Sequence, residues 1–361
     1  MSVILFILCL VALIIVHEFG HFSVAKLFGI RVDEFGIFFP PRIWAFTKGE
    51  TEYSLNWLPF GGFVRIFGEN YDEGEGEPRS FVNKNRWVQA AVLVAGVTMN
   101  IIFAWLLLSA GYMIGLPTSV EHVGFGTTSN PQVMVVNVLP GSPAQQAGLM
   151  PGDTVVAVQT GTASEPAGQN AQQTQQFITA HQEESDVITV LRDGQSMTFV
   201  AKPAAGLVEG RKVIGVEFDD VGTLKLSPPV ALIQGAVLGW DITRTTAAGL
   251  GHFFAQIFEG RADFSQVSGP IGITAFGAAT LKQGFSAAVV LVALISINLA
   301  LLNLLPVPGL DGGRLLIVAI EGVTRRRIPV AWVSYLTLAG LAALVLLMLV
   351  VSYHDISKLV G

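Results

Sequence analysis

Residues 3–21, VILFILCLVALIIVHEFGH, constrain this chain more than any other stretch. An apolar run from Val3 to Val16 passes without a break into His17-Glu18-Phe19-Gly20-His21. The run is long enough to enter a bilayer as a helix, and on a helix positions i and i+4 share a face. His17 and His21 therefore project together. Two imidazoles at that spacing can share one Zn²⁺, with Glu18 beside them to take a proton from a water at the metal. A carboxylate at membrane depth costs roughly 2.5–3.5 kcal/mol on insertion scales, so Glu18 calls for a functional reason. The competing reading is a helix end with solvated His and Glu just beyond the bilayer.

Composition supports the membrane setting. Of 361 residues, 51% are hydrophobic and 13% charged, whereas a soluble domain carries about 25% charged residues. The formal net charge is −6 and no basic run exceeds three residues, so nucleic acid is not an expected partner. The single cysteine, Cys9, lies inside the first apolar run, which excludes an intrachain disulfide and a cysteine zinc site. With no Lys or Arg before that run and no A-x-A-like site after it, the run reads as a retained helix and not a cleaved signal peptide.

Apolar segments fit transmembrane helices at 1–30, 88–116, 286–313 and 330–352. Eight Lys and Arg fall within 25–88, and Arg314, Arg325, Arg326 and Arg327 follow the third span. The positive-inside rule then puts 31–87 and the 314–329 connection in the cytoplasm, with both termini and 117–227 outside. His17, Glu18 and His21 fall toward the cytoplasmic end of the first helix. Within 31–87, residues 43–57 suggest a β-hairpin and Pro59 to Ile66 a further strand, while Glu69 to Pro78 is acidic and Gly-rich. Asn100 in the second span reads as interhelical glue. Region 228–285 reads as an amphipathic helix on the outer surface followed by a linker, punctuated by Ser268-Gly269-Pro270-Ile271-Gly272.

Residues 131–203 look soluble and β-rich, with a loose insertion at 160–171 and a turn at Asp193-Gly194. The succession of strand, G-S-P-A (141–144), A-G-L (147–149), P-G-D (151–153) and strand resembles a PDZ domain. Its position outside the membrane, away from the proposed metal, suggests that it acts on substrate admission. His122 and His181 read as solvated surface residues.

The third span ends in Asn298-Leu299-Ala300-Leu301-Leu302-Asn303-Leu304-Leu305-Pro306-Val307-Pro308-Gly309-Leu310-Asp311-Gly312-Gly313. Pro306 and Pro308 cannot continue a helix, so the backbone opens there. Topology puts Asp311 at the same level as His17 and His21. Two His, one carboxylate and an open fourth position make the catalytic zinc pattern.

Together, H-E-F-G-H, P-F-G-G-F-V-R, the PDZ-like stretch, S-G-P-I-G and N-L-L-P-V-P-G-L-D-G-G resemble the bacterial site-2 proteases over essentially the whole chain. The resemblance implies an intramembrane zinc metalloprotease: His17, His21 and Asp311 as zinc ligands, Glu18 as catalytic base, and Asn298 and Asn303 near the substrate. It also implies a membrane re-entrant β-element in the hairpin region, with Gly61, Gly62 and Phe63 as substrate contacts. The expected fold is thus a polytopic α-helical membrane protein with about four spans, that β-element and one inserted extracytoplasmic PDZ-like domain. Its expected place is the bacterial inner membrane. The expected substrates are single-span membrane proteins already cut by a site-1 protease, such as anti-sigma factors, or remnant signal peptides. Two departures stand out: there is room for one PDZ domain where some relatives have two, and Gly96-Val97-Thr98-Met99-Asn100 replaces a usual Gly-Pro-x-x-Asn. The second bears, on sequence grounds, on helix packing only. Rival readings are a non-catalytic PDZ scaffold for exported tails and a metal transporter; the latter would spread polar residues along several spans.

Overall fold

In the computed structural model the described residues are 2–69, 76–161, 163–166, 170–181, 183–192, 194–208, 211–261 and 269–360. Parts of the Glu69–Pro78 loop and of the 160–171 insertion, together with Asp193 and Ser268, lie outside them. The chain divides into two compact units, Met1–Ser109 with Gly235–Gly361, and Ala110–Gln234.

The first unit opens with helix α1, Ser2–Leu27, and two long strands, β1 Val32–Lys48 and β2 Thr51–Ile66, followed by α2, Arg86–Ile114. The second unit is built on β3 Leu116–Ser119, β4 Ser129–Val138, α3 Pro143–Ala147, β5 Thr154–Thr160, β6 Ala163–Pro166, α4 Ala171–Ala180, β7 Asp186–Arg192, β8 Gln195–Ala201, β9 Ala204–Val208, β10 Arg211–Val213 and β11 Val216–Leu224. Helices α5 Pro228–Phe258, α6 Pro270–Lys282, α7 Phe285–Leu304, α8 Asp311–Thr324 and α9 Val330–Val360 complete the chain. Among the described residues four helices have the length and apolarity to cross a membrane: Ser2–Leu27, Arg86–Ile114, Phe285–Leu304 and Val330–Ser357.

The strand region differs from a hairpin plus a third strand. β1 and β2 each bend, so their halves lie four abreast. Residues 42–48 pair with 51–56, and 32–37 pair with 62–66, both antiparallel. Residues 34–37 also register with 52–55, numbers rising in step, which puts 32–37 inside the sheet and 62–66 at one edge. β2 turns back at Gly61, whose φ of 129° suits glycine alone. Polar groups inside the sheet are satisfied locally: Ser54 Oγ donates to buried Glu34 at 2.6 Å, Arg65 pairs with Glu34 at 2.9 Å, and Asn56 donates to the Phe38 carbonyl at 3.2 Å. At the tip, Arg79 and Lys26 donate to Glu50 and hold its carboxyl down at about 2, tying the hairpin to the end of α1.

The β-rich unit is larger than 131–203. Its main sheet runs β3-β11-β4-β5-β7-β8, and Ile214 and Phe218 join Val133, Val135, Ile188 and Val190 in its core. β11, V-E-F-D-D-V-G-T-L, carries three acids among its nine residues, which hides its alternation from a hydropathy reading. His181 is half-buried, with Nδ1 donating to the Phe177 carbonyl at 2.9 Å, and so is less solvated than expected.

Three further boundaries move. The expected linker contains α6, because Gly269 caps a helix with Pro270 at its first position, a combination that starts helices as well as breaking them. Its N-terminal amides at Gly269 and Gly272 donate to the buried Asp355 carboxylate of α9. The third span stops at Leu304, and Asp311 begins a separate helix, α8. α9 runs on past 352 to Val360. As for α5, Leu238 and Ile242 pack on a cluster formed by Ala104 and Leu108 of α2 and Ala293 and Ile297 of α7.

Candidate metal centre

The centre begins with how closely α1 and α2 approach. A Cβ on Gly20 would run into the Ala95 carbonyl, and one on Gly96 would collide with the rings of His17 and His21. Glycine at both positions lets the imidazoles of α1 lie directly on the backbone of α2. His17 and His21 are both buried, 6% and 7% exposed, at an interplanar angle of 79°. His21 Nδ1 donates to the Val92 carbonyl at 2.8 Å, which leaves its Nε2 lone pair facing inward.

Asp311 arrives from the far end of the sequence. After α7 the chain folds back through Pro306 and Pro308, and the first turn of α8 lies against it. Any side chain at Gly312 would meet the carbonyls of Leu304 and Leu305, and one at Gly313 that of Val307. Gly340 of α9 gives the same close approach to Pro308 from the other side. Clamped in this way, Asp311 Oδ2 lies 3.0 Å from His17 Nε2 and 3.2 Å from His21 Nε2, and the two Nε2 atoms are 3.1 Å apart. Among the described residues this is the only cluster of three or more potential His, Cys, Asp or Glu metal ligands.

The donor set fits zinc. Tetrahedral bonds of roughly 2.0–2.1 Å place ligand atoms roughly 3.3–3.4 Å apart, close to the three distances here. Two imidazole nitrogens and one carboxylate oxygen also suit a borderline-soft cation.

Glu18 faces a cavity of about 220 Å³ shared with His21 and Asp311 and walled by Phe63, Val64, Ile66 and Leu93. The sheet edge thus borders the cluster. A Cβ on Gly62 would stand 3.9 Å from Glu18 Cγ, and one on Gly61 would touch Ile14. Glu69 also lines the cavity and is held by the Arg314 guanidinium of α8. Asn298 and Asn303 are half-buried on α7 and lie outside the wall of this cavity.

Sequence reasoning missed the part played by α2. Val92, Gly96 and Asn100, spaced by four, present one face to the histidines: a carbonyl, a gap and an amide, with Asn100 Nδ2 3.4 Å from His17 Nδ1. The Gly96-to-Asn100 stretch therefore bears on the two histidines themselves and not on helix packing alone. The shared spacing of Gly96 and Asn100 was a readable signal; the Val92 carbonyl left none, because any residue supplies one.

The model of peptidase family M50 matches residues 5–347. A Clostridium perfringens protein described as a candidate zinc metalloprotease is 32% identical over 360 residues, covering 99% of this chain and 98% of its own. The zinc metalloprotease RasP of Bacillus licheniformis is 26% identical over 441 residues, covering 99% of each. A candidate membrane metalloprotease of Arabidopsis thaliana chloroplasts is 32% identical over 335 residues, covering 89% of this chain and 72% of its own. A membrane-embedded zinc metalloprotease is the class that helices, cluster and relatives define together. The chain belongs to peptidase family M50, the site-2 proteases, and is a hydrolase of peptide bonds. Family membership removes the scaffold and transporter readings.

Proposed function

We infer that this protease cuts single-span membrane proteins within or beside the bilayer, as the second cut of a regulated sequence. In this reading His17 Nε2, His21 Nε2 and Asp311 Oδ2 hold the zinc. The observation that carries it is their convergence to 3.0–3.2 Å from residues 294 positions apart. Bound there, Zn²⁺ supplies Lewis-acid polarisation of the scissile carbonyl and of water. Glu18, beside the ligands and facing the cavity, takes the proton from the attacking water and returns it to the departing amine. Phe63, Val64 and Ile66 hold the substrate backbone against this wall and keep bulk water away.

Helical hydrogen bonds protect a peptide bond, so the substrate's helix must unwind before the cut. The edge formed by 62–66 offers unwound backbone a strand to pair with, directly beside Glu18. Gly62 is part of that device because a side chain there would press toward Glu18 and the Gly36 carbonyl. The substrates proposed, by family resemblance, are ones already trimmed outside, such as anti-sigma factors or remnant signal peptides. Comparing membrane-protein fragments across the proteome of cells carrying wild type or Glu18→Gln tests the reading. Uncut single-span stubs should accumulate in the variant; identical fragment patterns would refute it.

The proposed membrane is the bacterial inner membrane, with the cluster at the cytoplasmic end of α1 and the β-rich PDZ-like unit outside. In a Cys9→Ser background, Glu77→Cys should react with an impermeant thiol reagent only from the cytoplasmic side. Gln176→Cys should react only from outside. The reverse pattern would put the metal at the other face.

A further inference from the structure

The Asn100 side chain sits where a metal site's tautomer is decided. Asn100 is 0% exposed, and its backbone carbonyl accepts from Ser296 Oγ of α7 at 2.8 Å, which fixes that stretch of α2. Its Nδ2 lies 3.4 Å from His17 Nδ1, and its Oδ1 has no hydrogen-bond partner among the described residues. A buried amide oxygen without a partner is costly, so a helix-packing role alone leaves this side chain unexplained.

The imidazole accounts for both ends of the amide. Neutral histidine carries one ring proton. When Nδ2 is turned to His17, Nδ1 must accept, and the proton is on Nε2, aimed at Asp311 Oδ2 3.0 Å away. When Nε2 gives its lone pair to a metal, the proton moves to Nδ1, and Nδ2 and Nδ1 become two donors face to face. Turning the carboxamide about its last torsion replaces Nδ2 with Oδ1, an atom of nearly the same size that accepts. His21 is already fixed in the metal-ready tautomer by the Val92 carbonyl. Among the described residues no backbone carbonyl bonds His17 Nδ1, and the Asn100 amide, which can serve either form, lies there instead.

We propose that Asn100 is a positioning residue for zinc, whose amide turns to accept the His17 Nδ1 proton and so sets the tautomer that presents Nε2 to the metal. This rests on His17 being a zinc ligand, and the test separates the two claims. The full chain is purified in detergent, and zinc affinity is measured by competition with a chromophoric chelator. Asn100→Leu has similar size and no acceptor; it should bind zinc 10–100-fold more weakly, the usual effect of losing a hydrogen bond behind a ligand. Asn100→Asp keeps the acceptor and loses the donor; it should bind at least tenfold more tightly than the Leu variant. Were Asn100 packing glue acting through its Nδ2 donor, Asp would be as damaging as Leu. If the Leu variant does not purify folded, Asn100→Ala takes its place, since it removes the amide without adding bulk. A Leu or Ala variant within threefold of wild type, or an Asp variant less than tenfold tighter than the Leu or Ala variant, overturns the proposal. His17→Ala in the same assay reads the underlying assignment separately: full zinc affinity there would remove His17 as a ligand, whatever Asn100 does.

Discussion

Glu18→Gln should yield a purified protein that keeps its zinc and loses its peptidase activity. The substitution keeps the size of the side chain, which matters because Glu18 lines the same cavity as Phe63, Val64 and Ile66 of the sheet edge. Glu18 lies outside the three-atom cluster, so the metal keeps all its proposed ligands. What is lost is proton transfer, which contributes typically 10²–10⁴-fold to a rate. A fall of about a thousandfold or more in cleavage of a pre-trimmed single-span substrate is expected, with zinc per chain unchanged by metal analysis. Turnover near wild type would remove Glu18 from the chemistry. Zinc lost along with turnover would make it a ligand instead of a base.

Asp311→Ala should do the opposite and take the metal with it. Two imidazoles alone leave the cation half-coordinated, and zinc content of the dialysed protein should drop below about a tenth of wild type, with activity following. The fold should survive. Asp311 sits in the first turn of α8, where a carboxylate contributes about 0.3–1 kcal/mol through the helix dipole, a small loss for a chain of this size. Full zinc together with normal turnover would reduce Asp311 to a helix-start residue.

Much of this centre was legible before any coordinates. His17 and His21 declared themselves by spacing inside an apolar run, and Asp311 joined them because charge topology put it at the same level. The spans were legible because hydropathy at that length admits few alternatives. The strands were harder. The order in which 42–48, 51–56, 32–37 and 62–66 lie side by side depends on two bends, and the sequence shows the bends as Pro40-Pro41 and Pro59 to Gly61 without saying how far the chain turns. β11 escaped notice because Glu217, Asp219 and Asp220 fall on both faces of the strand and break its apolar alternation, with Asp220 taken up by the Ala171 amide. α8 escaped because 286–313 reads as one span, whereas Gly312 and Gly313 are the residues that let a new helix begin against a carbonyl-lined wall. Asn100 was read as glue since polar residues in membrane helices usually are; the difference lies in its distance to one ring nitrogen, which a sequence does not carry.

The clamp on Asp311 has a consequence for how the molecule is made. The histidines stand on α1, and the carboxylate that meets them follows 294 residues behind His17. At roughly 5–20 residues per second that interval lasts roughly 15–60 s. Even then the loop bearing Asp311 lacks one wall until Gly340 of α9 comes to rest on Pro308. A chain still being inserted thus carries Glu18 and the two histidines but no complete cluster. Splitting the cluster between α1 and α8 keeps it incomplete until the residues around Asp311 and Gly340 have been made.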